Sequence, residues 1–161
     1  MFLRFITLSV GITFAFPSLA QGIARAGLEP LYSQPEVVKS TFSKGTLLQF
    51  WASWCESCRS VMDDLDRNKP RLKSLDYLAI SIDVKRADAT AALSGLSWAG
   101  KRPGRFFWDA NQIWAKRFGI TSAPTIILLD AQGSEVFRLA GHFTADSTLT
   151  FNEKIAALQT K

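Results

Sequence analysis

Apolar residues fall into short runs along this chain, and the period of the runs changes from one to the next. Residues 46–52, Thr-Leu-Leu-Gln-Phe-Trp-Ala, form a nearly unbroken apolar run that reads as a buried strand. Val61, Met62 and Leu65 then recur at helical spacing in a stretch that continues through Arg67 and stops before Pro70. Residues 75–83 read as a second strand, and the alanine-rich residues 87–98 as a helix. Residues 105–109 predict a short strand. Asn111 is expected to cap a helix over 112–118, with Gly119 as its stop. Residues 125–130 and 135–140, joined by Ala131-Gln132-Gly133, predict a β-hairpin, and 144–159 a last helix. Upstream, residues 21–30 show no period and read as a loose leader. Pro35 suits the first position of a short helix capped by Ser33 or Gln34.

Length and composition narrow this picture. A chain of 161 residues with 47% apolar content suggests one globular domain with a real core. The formal charge is +5, and no basic run is dense enough to suggest nucleic acid. The first twenty residues stand apart: Arg4 in a short n-region, an apolar stretch over 5–16, then Pro17-Ser18-Leu19-Ala20. This is the pattern of a secretory signal peptide cleaved before Gln21. The alternative is an uncleaved anchor, for which the apolar stretch is short against the ~20 residues a span needs.

The candidate chemistry lies at Cys55 and Cys58, the only two cysteines. They sit where the first strand hands over to a helix. The first N–H groups of a helix lack internal partners and carry partial positive charge. A cysteine there can have its pKa lowered from roughly 8.5 into the range of about 3.5–7.5. The thiolate is the species that attacks disulfides, and Cys58, one helical turn on, can resolve the mixed disulfide formed by Cys55. A structural bridge is the first alternative, but so short a loop constrains little of the unfolded chain. A pair of zinc ligands is the second; zinc wants four ligands, and beyond the cysteines the chain adds one histidine, His142. No metal and no cofactor are expected.

The segment Phe50-Trp51-Ala52-Ser53-Trp54-Cys55-Glu56-Ser57-Cys58 resembles the active-site segment of thioredoxin-fold proteins, and Thr121-Ser122-Ala123-Pro124-Thr125 is similar to their cis-proline loop. The resemblance implies a thioredoxin-like α/β fold, a mixed central sheet with helices on both faces, over residues 21–161. The 69 positions from Cys55 to Pro124 exceed the interval of plain thioredoxins. The layout resembles the exported TlpA/ResA-type branch, which includes cytochrome c maturation thioredoxins and carries an insertion between the active-site helix and the cis-proline loop. Ser57 departs from the proline usual there, and Gln49 stands where many thioredoxins have a buried acid that moves protons.

The resemblance implies roles for individual residues. Cys55 is the nucleophile and is expected to be accessible, easily ionised and opposite a cis Pro124. Ala123 offers backbone groups to a substrate strand, and Trp54 can line the substrate surface, whereas Trp51 belongs to the core. Glu56 is the nearest candidate for proton handling, or else only a first-turn acid that favours the helix and partly opposes the thiolate. Trp98, Trp108 and Trp114 read as core or rim aromatics, His142 as a surface residue, and Lys101, Arg102 and Arg105 as a solvated loop. The expected function is reduction of disulfides in exported or periplasmic proteins, with a membrane thiol–disulfide electron donor restoring the dithiol. A disulfide-forming oxidase or isomerase on the same fold, or a non-catalytic binding module, are the rival readings.

Overall fold

The computed structural model describes residues 27–32, 45–68, 72–96 and 105–160. The expected signal peptide, the helix expected at Pro35, Trp98, and the loop carrying Lys101 and Arg102 lie outside them. Six strands form one mixed sheet: β1 (Leu28–Pro30), β2 (Thr46–Trp51), β3 (Asp76–Ser81), β4 (Phe106–Asp109), β5 (Thr125–Leu129) and β6 (Glu135–Ala140). Their order across the sheet is β1-β4-β3-β2-β5-β6. The helices are α1 (Glu56–Arg67), α2 (Arg86–Ser94), α3 (Ile113–Arg117) and α4 (Ala145–Gln159).

Strand β2 lies inside the sheet, parallel to β3 and antiparallel to β5. Every residue of β2 is buried, which is why the run carries so little polar alternation. Leu47 and Trp51 of β2 join a core with Val61, Met62 and Leu65 of α1, Ala89 and Leu93 of α2, and Phe151 and Ile155 of α4. Leu48 and Phe50, which alternate with them, join a second core with Leu78, Ile80, Phe107 and Trp114 of α3. Period-two alternation along one strand thus feeds two cores on opposite faces, with helices over both.

Two local expectations change. Residues 28–30 are not part of a leader but form β1, antiparallel to β4 at the sheet edge. Three residues ending in proline carry no period of their own, and the strand exists only because β4 is there to pair with. Its anchors are tertiary: the Arg86 guanidinium donates to the Pro30 carbonyl at 2.8 Å, and Ala110 N–H donates to the Gly27 carbonyl at 2.8 Å. Gly27 has φ +85°, and a Cβ there would lie 2.6 Å from Ile113 Cδ1. The second change concerns Asn111. It lies at φ +60° in a 3-10 turn over Ala110–Gln112 and does not cap α3. Asp109 takes that role, its carboxylate accepting from Trp114 N–H at 2.9 Å and Ala115 N–H at 2.7 Å. The helix expected over 87–98 stops at Ser94, with Gly95 as its C-cap; elsewhere the expected elements stand, and Thr144 caps α4 through a reciprocal box with Ser147.

Asp109→Ala is expected to leave those two buried amides without acceptors and to destabilise the domain by roughly 1–3 kcal/mol, read as a lower midpoint in urea or thermal unfolding.

Candidate functional site

Strand β2 ends at Trp51, and the chain turns at once: Cys55 N–H donates to the Ala52 carbonyl at 3.1 Å. Cys55 then occupies the N-cap of α1 in an extended conformation, and Cys58 N–H donates to the Cys55 carbonyl at 3.2 Å. Cys55 thus stands at the N-terminal end of a twelve-residue helix, and one amide of its first turn bonds the Cys55 carbonyl. Cys55 and Cys58 form a disulfide, with Cα atoms 5.3 Å apart. Cys58 is sealed at 0% exposure, while Cys55 keeps 6%. The outer sulfur is thus less open than expected from sequence, because Ala52 and the core of α1 close around the oxidised pair; what exposure remains belongs to Cys55. The Ser57 hydroxyl lies 3.7 Å from the Cys55 sulfur.

Beneath the pair, Gln49 is fully buried. Its Nε2 donates to the Cys58 carbonyl at 3.4 Å, and its Oε1 accepts from the Tyr77 hydroxyl at 2.5 Å. The amide sits where a proton-carrying acid was considered, but it serves as a bridge between α1 and β3 and has no proton to exchange at neutral pH.

Sequence reasoning missed Asp83. Its carboxylate oxygens accept from Ser53 N–H at 3.1 and 2.9 Å, from the Ser53 hydroxyl at 2.7 Å, and from the Ser81 hydroxyl at 2.7 Å. The reason is register. Trp51 pairs with Ser81 across the parallel β2–β3 ladder, so Ser53 and Asp83 each lie two residues past the paired ends. An acid just beyond a strand in an α/β pattern was the available signal, since such sheets build their sites at the carboxyl ends of parallel strands.

The Ala123–Pro124 peptide is cis. Phe50 pairs with Thr125, so the cis-proline loop enters β5 at the end of the sheet where β2 runs into the cysteine turn. Gly141 N–H donates to the Pro124 carbonyl at 2.8 Å, tying that loop to the end of β6. Ala123 is half-buried against the core of α1. Trp54 is 69% exposed beside the disulfide, whereas Trp51 is buried. Glu56 is exposed in the first turn of α1, and no hydrogen bond joins it to either cysteine among the described residues. Trp114 is core, and Trp108 is half-buried with its indole N–H donating to the Asp83 carbonyl at 2.7 Å. Arg105 is half-buried rather than solvated, its guanidinium 5.8 Å from the centre of the Tyr77 ring. His142 is exposed, and among the described residues no cluster of side chains is suited to a metal ion.

Comparison with known proteins converges on the same elements. Residues 31–156 match a family described as a thioredoxin-like domain. The thiol-disulfide oxidoreductase ResA of Bacillus anthracis is 25% identical over 118 residues, which span 73% of this chain and 67% of that protein. The thiol:disulfide interchange protein DsbE of Tatumella citrea is 26% identical over 119 residues, 72% of this chain and 58% of that protein. The crystal structure of the N-terminal domain of PilB from Neisseria gonorrhoeae superposes with a TM-score of 0.62 over 83% of this chain and 94% of that one, at 19% identity, which bears on the fold alone.

Tyr77→Phe is expected to leave the Gln49 carbonyl oxygen buried without its donor and to lower stability by roughly 1–3 kcal/mol, measured by denaturant unfolding of the oxidised protein.

Proposed function

Because the chain belongs to the thioredoxin-like domain family, matched over residues 31–156, we propose that it is a thiol-disulfide oxidoreductase that reduces disulfides of proteins outside the cytoplasm. The observation that carries the reading is the Cys55–Cys58 disulfide at the start of α1, with Cys58 sealed and Cys55 at the surface edge. That asymmetry supports one order of events. In the reduced protein the Cys55 thiolate, stabilised by the α1 N-terminus, attacks one sulfur of a client disulfide. A Cys55–client S–S bond forms, the client S–S bond breaks, and the first client sulfur leaves as a thiolate that takes up a proton. Cys58, deprotonated, attacks the Cys55 sulfur, re-forms the Cys55–Cys58 bond and expels the second client thiolate. Two electrons pass from the dithiol to the client. A membrane thiol–disulfide donor returns the electrons.

Trp54 offers an exposed apolar contact for the client, and the Ala123–Pro124 loop offers backbone groups beside the pair. Glu56 is the nearest acid in sequence that can exchange protons with solvent during the cycle. Work outside the cytoplasm is supported by the signal-like residues 1–20. The ResA and DsbE likenesses and the long interval from Cys55 to Pro124 favour the TlpA/ResA-type branch, and with it exported clients such as apocytochrome c.

The chemically reduced protein is expected to reduce a small-molecule disulfide stoichiometrically. Cys55→Ser is expected to abolish this, and Cys58→Ser to accumulate a mixed disulfide with its client. Activity retained by Cys55→Ser would end the reading. Equilibration with glutathione at pH 7 is expected to place the couple near about −270 mV or below; a value near about −120 mV would mark an oxidase instead.

A further inference from the structure

We propose that Asp83 is a positioning residue for the redox pair: it pins the turn that presents Cys55, and its negative charge holds the couple toward the disulfide. The inference rests on the exchange chemistry proposed above and assigns a further residue to it.

Asp83 is 3% exposed. Its two oxygens take three donors: the Ser53 N–H, shared between both, the Ser53 hydroxyl, and the Ser81 hydroxyl. Ser81 in turn accepts from Asp83 N–H at 3.1 Å, and Trp108 holds the Asp83 carbonyl from the other side. The carboxylate is therefore fixed in place by β3 and β4 before it meets Ser53. No lysine or arginine pairs with it among the described residues. Burying a carboxylate without a cation is costly. An amide in its place would offer one acceptor oxygen where the carboxylate offers two, both of them used here.

Ser53 lies two residues before Cys55, inside the turn closed by Cys55 N–H and the Ala52 carbonyl. Fixing Ser53 at both its N–H and its hydroxyl fixes the exit of β2 and the entry of α1, and so the direction in which the Cys55 sulfur leaves the helix. The charge acts on the same sulfur with opposite sign to the helix N-terminus. A buried anion bound to the residue two before Cys55 disfavours the thiolate of the reduced protein and leaves the uncharged disulfide untouched. The equilibrium moves toward the disulfide, making the dithiol a stronger electron donor. Asp83 touches neither sulfur and acts only through the turn and the field.

The test uses the full chain and two variants, Asp83→Asn and Ser53→Ala. Asp83→Asn keeps the shape, removes the charge and exchanges one acceptor oxygen for an NH2 group. It is expected to shift the equilibrium with glutathione at pH 7 toward the dithiol about tenfold, or about 30 mV. Ser53→Ala removes one anchor and no charge. It is expected to slow attack on a small-molecule disulfide about threefold while the equilibrium stays within about twofold of the unaltered protein. A residue with only a structural role would lower the unfolding midpoint without moving that equilibrium. An Asp83→Asn equilibrium within about twofold of the original, or shifted toward the disulfide, overturns the proposal. Should Asp83→Asn not fold, as judged by circular dichroism, Ser53→Ala decides: slower attack supports the proposal and an unchanged rate overturns it. An unaltered dithiol inert to disulfides would refute the exchange reading alone. Alkylation of the phosphine-reduced proteins by iodoacetamide at pH 7 would still test Asp83, with faster reaction of Asp83→Asn supporting the inference and equal rates overturning it.

Discussion

Strand β2 is hydrogen-bonded along both edges, to β3 running with it and to β5 running against it. The redox pair depends on where that strand stops. A strand buried on both faces and paired on both sides has no freedom of register, since a slip of one residue would turn Leu47 and Trp51 into the core that receives Leu48 and Phe50. Its end at Trp51 is therefore a fixed point. From it the chain makes one tight turn and enters α1 with Cys55 at the cap. The parallel neighbour brings Asp83 to the same end, and the antiparallel neighbour brings the Ala123–Pro124 loop there.

The polar groups buried around this point answer to one another. Gln49, on the face of β2 covered by α1, joins the Cys58 carbonyl to the Tyr77 hydroxyl. Asp83 joins the cysteine turn to β3, and through its carbonyl to Trp108 of β4. Gln49 and Asp83 find partners on several elements, so their network ties α1, β2, β3 and β4 together where the chemistry is placed. The amide below the pair bridges α1 to β3, and the carboxylate ties the turn that leads into Cys55.

The elements of the fold were largely legible in the chain because their signals are local. The apolar run of β2, the helical spacing of Val61, Met62 and Leu65, and the turn at Ala131-Gln132-Gly133 each declare themselves within a few residues. What was misjudged was nonlocal. Leu28–Pro30 becomes a strand only against β4, and the cap of α3 passes from Asn111 to Asp109 because β4 delivers that carboxylate directly to the Trp114 and Ala115 amides. Asn111, as good a cap by type as Asp109, is spent on the left-handed turn that precedes the helix.

By itself the sequence determined the chemistry on offer: two cysteines one turn apart at a strand-to-helix junction, an exposed tryptophan beside them, and a proline loop ahead of a late hairpin. These follow from residue type and short-range spacing, which any chain carries unfolded as well as folded. Only the tertiary structure decided how little of Cys55 stays exposed, that Gln49 is a bridge, and that an acid thirty residues from Ser53 holds the cysteine turn. Those facts depend on strand register and on burial, and neither exists until distant segments are packed against each other.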